Sequence, residues 1–437
     1  MNKNKVWSLI GIVLIFIITV LYSMFGYRLS VDDVWCYGFV YNLASGLVPY
    51  VDYNMVIGPV FPLLGSLFLL MLGKNMMSFI IFGAVVATGI FILSKKVFDR
   101  SYLIFYALFL LYSTPNYSVL CIFFLLLLMY LEDKKSNDYL IGIILGLTIL
   151  TKIHVGLFLC IPSLFLGNSK KIIHRVIGAG SVGAMALLIM CLIGNIDGFV
   201  NYTMLGLFDF AKNNGKVYEW FYLVLTSIIY GLYLLIVKKE KDIKLKYVLC
   251  FLILGYPIFS TYHSILASIP SFGYYLNKLK LHKGVLVCAF GLYVLFFGYN
   301  YTARYYKENM TFDTNSVLYK YKIESKDMIK TIEETFDYIE DNSKNKQVYI
   351  FSMMAYMYKL EKGKEINKFD LINNGNMGYR GEDVYIADIS NNCHSNCVFF
   401  IADKEKGQTN KDIKNFVKNK YKYVKSYEMF DIYEGEL

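Results

Sequence analysis

Hydrophobic positions along this chain come in long unbroken runs, not in the stripes or alternation of a water-soluble protein. Near-continuous apolar segments occupy about 7–26, 57–73, 77–94, 101–113, 117–131, 139–151, 153–167, 176–194, 220–237, 247–262, 264–277 and 285–300. A helix needs about 20 apolar residues, within a range of roughly 17 to 25, to cross a bilayer, because each residue rises about 1.5 Å. The runs therefore predict an α-helical polytopic membrane protein with roughly eleven to thirteen spans over residues 1–300. Basic residues precede the first run and no small-residue cleavage site follows it, which reads as a retained anchor and not a signal peptide.

After residue 300 the pattern changes to an ordinary soluble mixture. Residues 325–342 read as an amphipathic helix, 347–351 and 398–401 as short strands, 411–420 as a second helix and 427–433 as a closing strand. Residues 301–437 are thus expected to form a soluble α/β domain.

Composition supports this division. Only 18% of residues are charged and 56% are hydrophobic, against roughly 25% charged in soluble domains, which excludes a soluble enzyme or a disordered chain. The net charge of +10 does not imply nucleic acid, because residues 1–300 hold 23 Lys/Arg and 12 Asp/Glu while the tail is almost neutral. Eighteen of those 23 basic residues sit in six short stretches: Lys3/Lys5, Lys95/Lys96/Arg100, Lys134/Lys135, Lys170/Lys171/Arg175, 238–246 and Lys278/Lys280/Lys283. Basic loops face the cytoplasm. That rule predicts a multi-pass protein of the cell membrane with a cytoplasmic N-terminus. The loop 27–56, the turn 113–116, the Lys152–His154 junction, 195–219, the turn near His263 and the whole tail then lie outside. One stretch conflicts: two runs lie between the first outer loop and Lys95, where a single crossing is needed. Either 57–73, with Gly58, Pro59, Pro62 and Gly65, is a half-span, or the Lys95 cluster is outside.

Charges near a bilayer cost free energy, so the few outer ones are the places to look for chemistry. The outer acids are Asp32, Asp33, Asp52, Asp197, Asp209 and Glu219, and the outer bases are Arg28, Lys152, Lys212 and Lys216. Asp32 and Asp33 are adjacent carboxylates just after the first run, which suits a general base or a metal ligand. They equally suit the start of an interfacial helix, with Ser30 or Asp32 as its cap. Asp52 lies between Tyr50 and Tyr53 in a loop of turn formers. Lys152 and His154 flank a tight junction between two runs, where they can neutralise a phosphate or, alternatively, snorkel and satisfy a backbone carbonyl. His263 is a further candidate at an outer helix end. Six of the eight cysteines, five of them within the apolar runs, read as small buried hydrophobes. Cys393 and Cys397 form a close pair suited to a disulfide in an oxidising compartment, or to a metal in a reducing one.

A first span, an acidic pair (Asp32-Asp33), then Gly46, Pro49-Tyr50, Asp52-Tyr53 and Gly58-Pro59 leading into a helix closely resembles the integral-membrane glycosyltransferases of the GT-C superfamily that use polyprenyl-phosphate sugars. The resemblance implies a catalytic domain over 1–300, with its first outer loop at 27–56, and an extracytoplasmic domain over 301–437. It implies transfer of a sugar from a polyprenyl-phosphate carrier to a wall polysaccharide, teichoic acid or glycolipid, in contact with membrane lipid. Carried over by position, Asp33, with Asp32 close behind, is the catalytic base or the ligand of a divalent metal such as Mg or Mn. Asp52 and Tyr53 orient the acceptor or the loop, and Lys152, His154 and His263 contact substrate. The chain has Ile57-Gly58-Pro59 where the protein mannosyltransferase and aminoarabinose transferase branches have "HPP" or "KPP". A transporter or flippase of lipid-linked glycans is the rival reading, and a non-catalytic envelope-assembly protein a third. A transporter predicts charges in mid-run, and almost none are there.

Overall fold

The computed structural model describes the chain apart from residues 1–2, 26–30, 100, 111–113, 165–167, 210–219, 257–259, 280–282, 308–309, 312–315, 319–323, 353, 364–371, 373–375, 394–395, 403–409 and 436–437. Arg28, Ser30, Ser113, Lys212, Lys216 and Glu219, singled out above, lie outside the described residues, as do Arg100 and Lys280 of the basic stretches.

Among the described residues up to 193 lie the helices α1 Lys3–Phe25, α2 Val31–Ala44, α3 Val60–Leu72, α4 Met76–Phe98, α5 Tyr102–Leu110, α6 Tyr117–Asp133, α7 Asp138–Ile149, α8 Ile153–Leu164 and α9 Ser169–Ile193. Asparagines set four of their starts. Asn75, Asn116, Asn137 and Asn168 each accept a backbone N–H from two or three residues ahead, at 2.9 to 3.3 Å, which satisfies a donor the first helical turn leaves free. Helices Phe221–Ile236, Ile243–Phe251, Thr261–Lys278 and Lys283–Lys307 follow.

The apolar runs overstate helix length. Two helices among the described residues, Met76–Phe98 and Ser169–Ile193, are long and apolar enough to cross a membrane, while Val60–Leu72, Asp138–Ile149 and Phe221–Ile236 are apolar but shorter. The run 247–262 is broken by a 3₁₀ turn at Leu252–Gly255, and His263 enters the first turn of the following helix instead of the turn before it.

The helices have two chemically distinct ends. At one, Arg175 is buried and grips Glu132 with both terminal nitrogens (2.6 and 3.0 Å) and Asp138 through Nε (2.8 Å). Lys244 pairs with Asp133, Lys278 with Glu240, and Lys96 lies over the Tyr130 ring. Residues from four of the basic stretches thus meet at this end. At the other end α3 begins against the α7–α8 turn, with Gly58 and Val60 donating to Thr151 and Leu150. It returns to the same end, where Gly83 of α4 abuts Pro115. Thirteen residues reach only about 20 Å, short of the roughly 30 Å hydrocarbon core. Alone, α3 is therefore too short to cross, and Lys96, near the far end of α4, lies with the other basic residues.

The tail carries a two-stranded ribbon, β1 Met310–Thr311 and β2 Glu324–Ser325, and a four-stranded sheet of β3 Gln347–Phe351, β4 Cys397–Ala402, β5 Lys422–Tyr427 and β6 Phe430–Glu434 in the order β3-β4-β6-β5. β3 and β4 are parallel, with Gln347 opposite Cys397, and the remaining pairs are antiparallel. The expected single strand at 427–433 is instead the end of a hairpin, turning at Glu428 with φ +51°. No glycine or asparagine marks that turn. Helices Lys326–Asn342, Met354–Lys362, Gly381–Asn392 and Lys411–Lys420 pack around the sheet.

This domain docks on α2. The Tyr356 ring lies so close to Gly38 that any side chain there would overlap it, and its hydroxyl accepts from Asn42 Nδ2 at 3.2 Å. Asn54 Nδ2 donates to the carbonyl of Asn376 at 3.1 Å.

Candidate functional site

Asp32 and Asp33 occupy the first turn of α2, where negative charge is stabilised by the helix dipole. The capping role and a chemical role are therefore not exclusive. Asp32 lies within electrostatic reach of Lys152, Tyr117 and Tyr262. Its side chain is exposed, but it stands in a deep recess. Burial there, and then the adjacent Asp33 carboxylate, push its pKa up to about 6 while Lys152 pulls it down. Water on its open face opposes part of that rise.

Lys152 sits in the turn between α7 and α8 and donates from Nζ to the Leu254 carbonyl at 3.3 Å. Its ammonium stands 5.3 Å above the Tyr117 ring, a cation–π contact worth roughly 0.5 to 2 kcal/mol. Burial lowers its pKa to about 8, with Cys121 and Asp32 opposing that fall, so it remains mostly charged at neutral pH.

Gly58 brings the first outer loop onto this turn. A β-carbon at 58 would lie 1.8 Å from the Leu150 carbonyl oxygen. Only glycine permits the approach that lets its N–H bond Thr151, one residue before Lys152.

A pocket of about 70 Å³ opens here, lined by Gly58, Tyr117, Lys152, His154, Tyr256 and His263, among others. His154 Nε2 is buried without a hydrogen-bond partner. His263 is oriented through Nδ1, 2.9 Å from Ser260 Oγ. Tyr262, beside it, hydrogen-bonds Asn116, the cap of α6. The sequence-predicted residues Lys152, His154 and His263 thus line one pocket, with Asp32 within electrostatic reach of Lys152.

Asp52 and Tyr53 do not join them. Asp52 Oδ2 accepts from Val48 N at 2.6 Å and closes its own turn. Tyr53 is fully buried, stacked on Phe39, with its hydroxyl directed at the Phe39 carbonyl (3.4 Å). Tyr50 is also buried and donates to the Ile57 carbonyl at 2.8 Å. These residues shape the loop that delivers Gly58.

Sequence reasoning missed Tyr117, Tyr256 and Tyr262. In a chain with 39 tyrosines their only signal was proximity to the turns already placed outside. Cys393 and Cys397 are joined in a disulfide, with Cα atoms 5.6 Å apart, in the tail's core, and neither lines this pocket.

Among the described residues no group of three His, Cys, Asp or Glu is placed to hold a metal ion. Among the described residues, the adjacent carboxylates of Asp32 and Asp33 are the acidic groups a divalent ion would meet here, beside the ammonium of Lys152.

No family model and no curated protein matches the chain. Among solved structures, ArnT from Cupriavidus metallidurans bound to undecaprenyl phosphate is similar over 89% of this chain and 80% of its own, at 10% identity and a TM-score of 0.44. The functional reading rests on the site and not on that distant likeness.

Proposed function

We propose that this protein is a multi-pass membrane glycosyltransferase that moves a sugar from a polyprenyl-phosphate carrier to a cell-envelope acceptor at the outer face. Membrane embedding is supported by α9, which leaves Val176, Leu188 and Leu192 62%, 61% and 79% exposed, an apolar surface that water would not tolerate. The basic end faces the cytoplasm by the positive-inside rule, which puts the pocket and the tail outside.

The observation that carries the reading is the opposition of two charges at one recess. A cationic pocket made by Lys152, with His154 Nε2 unsatisfied, lies within electrostatic reach of the Asp32 carboxylate. The pocket suits a phosphate in size and sign, and the apolar helix faces beside it suit a lipid chain. In the reaction the acceptor oxygen bonds to the anomeric carbon as the carbon–oxygen bond to phosphate breaks. The hydroxyl proton passes to Asp32, and the bonding electron pair goes to the phosphate oxygen, where Lys152 and His154 oppose the developing charge. Displacement with one base inverts the anomeric centre. The base contributes typically 10²- to 10⁴-fold, and each donor on the leaving oxygen about 3 to 4 kcal/mol. Because Lys152 feels the field of Asp32, we assign the base to Asp32 and give Asp33 a positioning role, reversing the order expected from sequence.

The test is transfer of a labelled sugar from a synthetic polyprenyl-phosphate donor by purified protein. Asp32→Asn should abolish transfer while retaining the carrier, and Lys152→Met should lose the carrier. Full turnover by Asp32→Asn refutes the assignment.

A further inference from the structure

A second cleft, of about 500 Å³, lies between the segment after α9 and the tail. One wall is Asp197, Asn201 and Tyr202, from the short helix Ile196–Phe199 and the π-helical turn Val200–Leu205. The other is Gln347 at the start of β3, with Tyr379 and Asp388 before and on the helix Gly381–Asn392. The walls are pinned together: Tyr379 N donates to Asn201 Oδ1 at 3.0 Å and Arg380 N to Asp209 Oδ2 at 2.9 Å. Tyr202 lines both this cleft and the Lys152 pocket, so the two adjoin.

Their charges are opposite. Among the described lining residues the cleft has two carboxylates, two amides and two phenols, and no Lys, Arg or His. The Arg380 guanidinium is turned onto Asp383, at 2.8 Å. The neighbouring pocket carries the Lys152 ammonium. Carboxylates and amides accept and donate hydrogen bonds to hydroxyls, and aromatic rings offer flat apolar faces. Such a lining repels a phosphate or a carboxylate. The volume falls within the roughly 300 to 1,000 Å³ of small-molecule sites.

We propose that this cleft binds the uncharged, hydroxyl-rich saccharide end of the acceptor and excludes anionic groups. Resting on the glycosyltransferase reading, this divides the labour by charge: the phosphate of the donor is held on the Lys152 side of Tyr202, and a neutral glycan on the Asp388 side. It also narrows the acceptor, since a phosphodiester placed next to the reacting hydroxyl would meet Asp197 and Asp388.

Saturation-transfer NMR on the full-length protein in lipid nanodiscs tests this, with methyl glucoside, methyl galactoside and methyl N-acetylglucosaminide as neutral probes and glucuronate and glucose 1-phosphate as anionic ones. At least one neutral glycoside should bind, each anionic probe at least tenfold more weakly. Asp388→Asn and Asp197→Asn, both at water-accessible positions, should relax that discrimination, and Tyr379→Ala should weaken the neutral probe at least tenfold. No binding by any neutral glycoside, equal binding of charged and neutral probes, or discrimination unchanged in both Asp variants overturns the proposal. Undecaprenyl-phosphate binding in the same discs is read separately. Its absence, with selective saccharide binding present, sinks the lipid-carrier reading and leaves the cleft assignment standing.

Discussion

The joint between Gly58 and the Leu150–Thr151 turn couples loop geometry to the proposed phosphate site, and one methyl group tests it. A β-carbon at 58 meets the Leu150 carbonyl oxygen at 1.8 Å and its carbon at 2.4 Å, both backbone atoms that no rotamer change can move. To restore ordinary contact at 3.4 Å, the turn must retreat by about 1.6 Å. Forcing an extra carbon into packed structure costs about 1 to 3 kcal/mol. The same retreat carries Lys152, and a misplacement of about 1 Å at a reacting centre costs on the order of 100-fold. Gly183, in α9, is the control: a β-carbon there meets nothing within 4 Å, and alanine is the better helix former by about 1 kcal/mol. In nanodiscs, Gly58→Ala should unfold several degrees below the parent and bind undecaprenyl phosphate at least tenfold more weakly. Gly183→Ala should match or exceed the parent in stability and bind normally. Parental stability and affinity in Gly58→Ala would refute the close approach and its role in placing Lys152.

The pH dependence of transfer should be bell-shaped, rising through about 6 as Asp32 ionises and falling through about 8 as Lys152 loses its proton. A rate independent of pH between about 5 and about 9 contradicts both assignments. Arg175→Ala leaves Glu132 and Asp138 buried without their cation, which should cost about 3 to 5 kcal/mol; a melting temperature within a degree of the parent argues against the buried cluster. Tyr356→Ala removes the ring packed on Gly38 and the bond to Asn42, so limited proteolysis should release the tail faster than from the parent. For Cys393 and Cys397, which are bonded and buried, a thiol-reactive mass tag applied under denaturing conditions should label neither without reductant. Labelling of both means the bridge does not form.

Much of the architecture follows from local chemistry that the linear chain displays openly. Apolar runs, asparagine caps and lysine-rich turns depend on neighbours a few residues away, so many of the helices, the gathering of basic residues at one end and the strands β3 and β4 could be read directly. The same holds for the acidic pair, whose place at a helix start depends on adjacent residues alone. Glu428, by contrast, takes a left-handed turn that its residue type does not announce, so the final hairpin read as one strand.

What the chain could not disclose depends on contacts between distant segments. The start of α3 meets the α7–α8 turn through Gly58 and Leu150, 92 positions apart, a contact that no local pattern announces. Asp52 and Tyr53 had the residue chemistry of a substrate site, yet hydrogen bonding within the loop and burial turned them to scaffolding. Asp32 and Lys152 lie 120 positions apart, and nothing in the spacing announced that each would feel the other's charge. Local patterning determined which segments are helical and which end of each is basic. Only packing decided which few polar groups share a recess, because a recess is made by several helix ends at once.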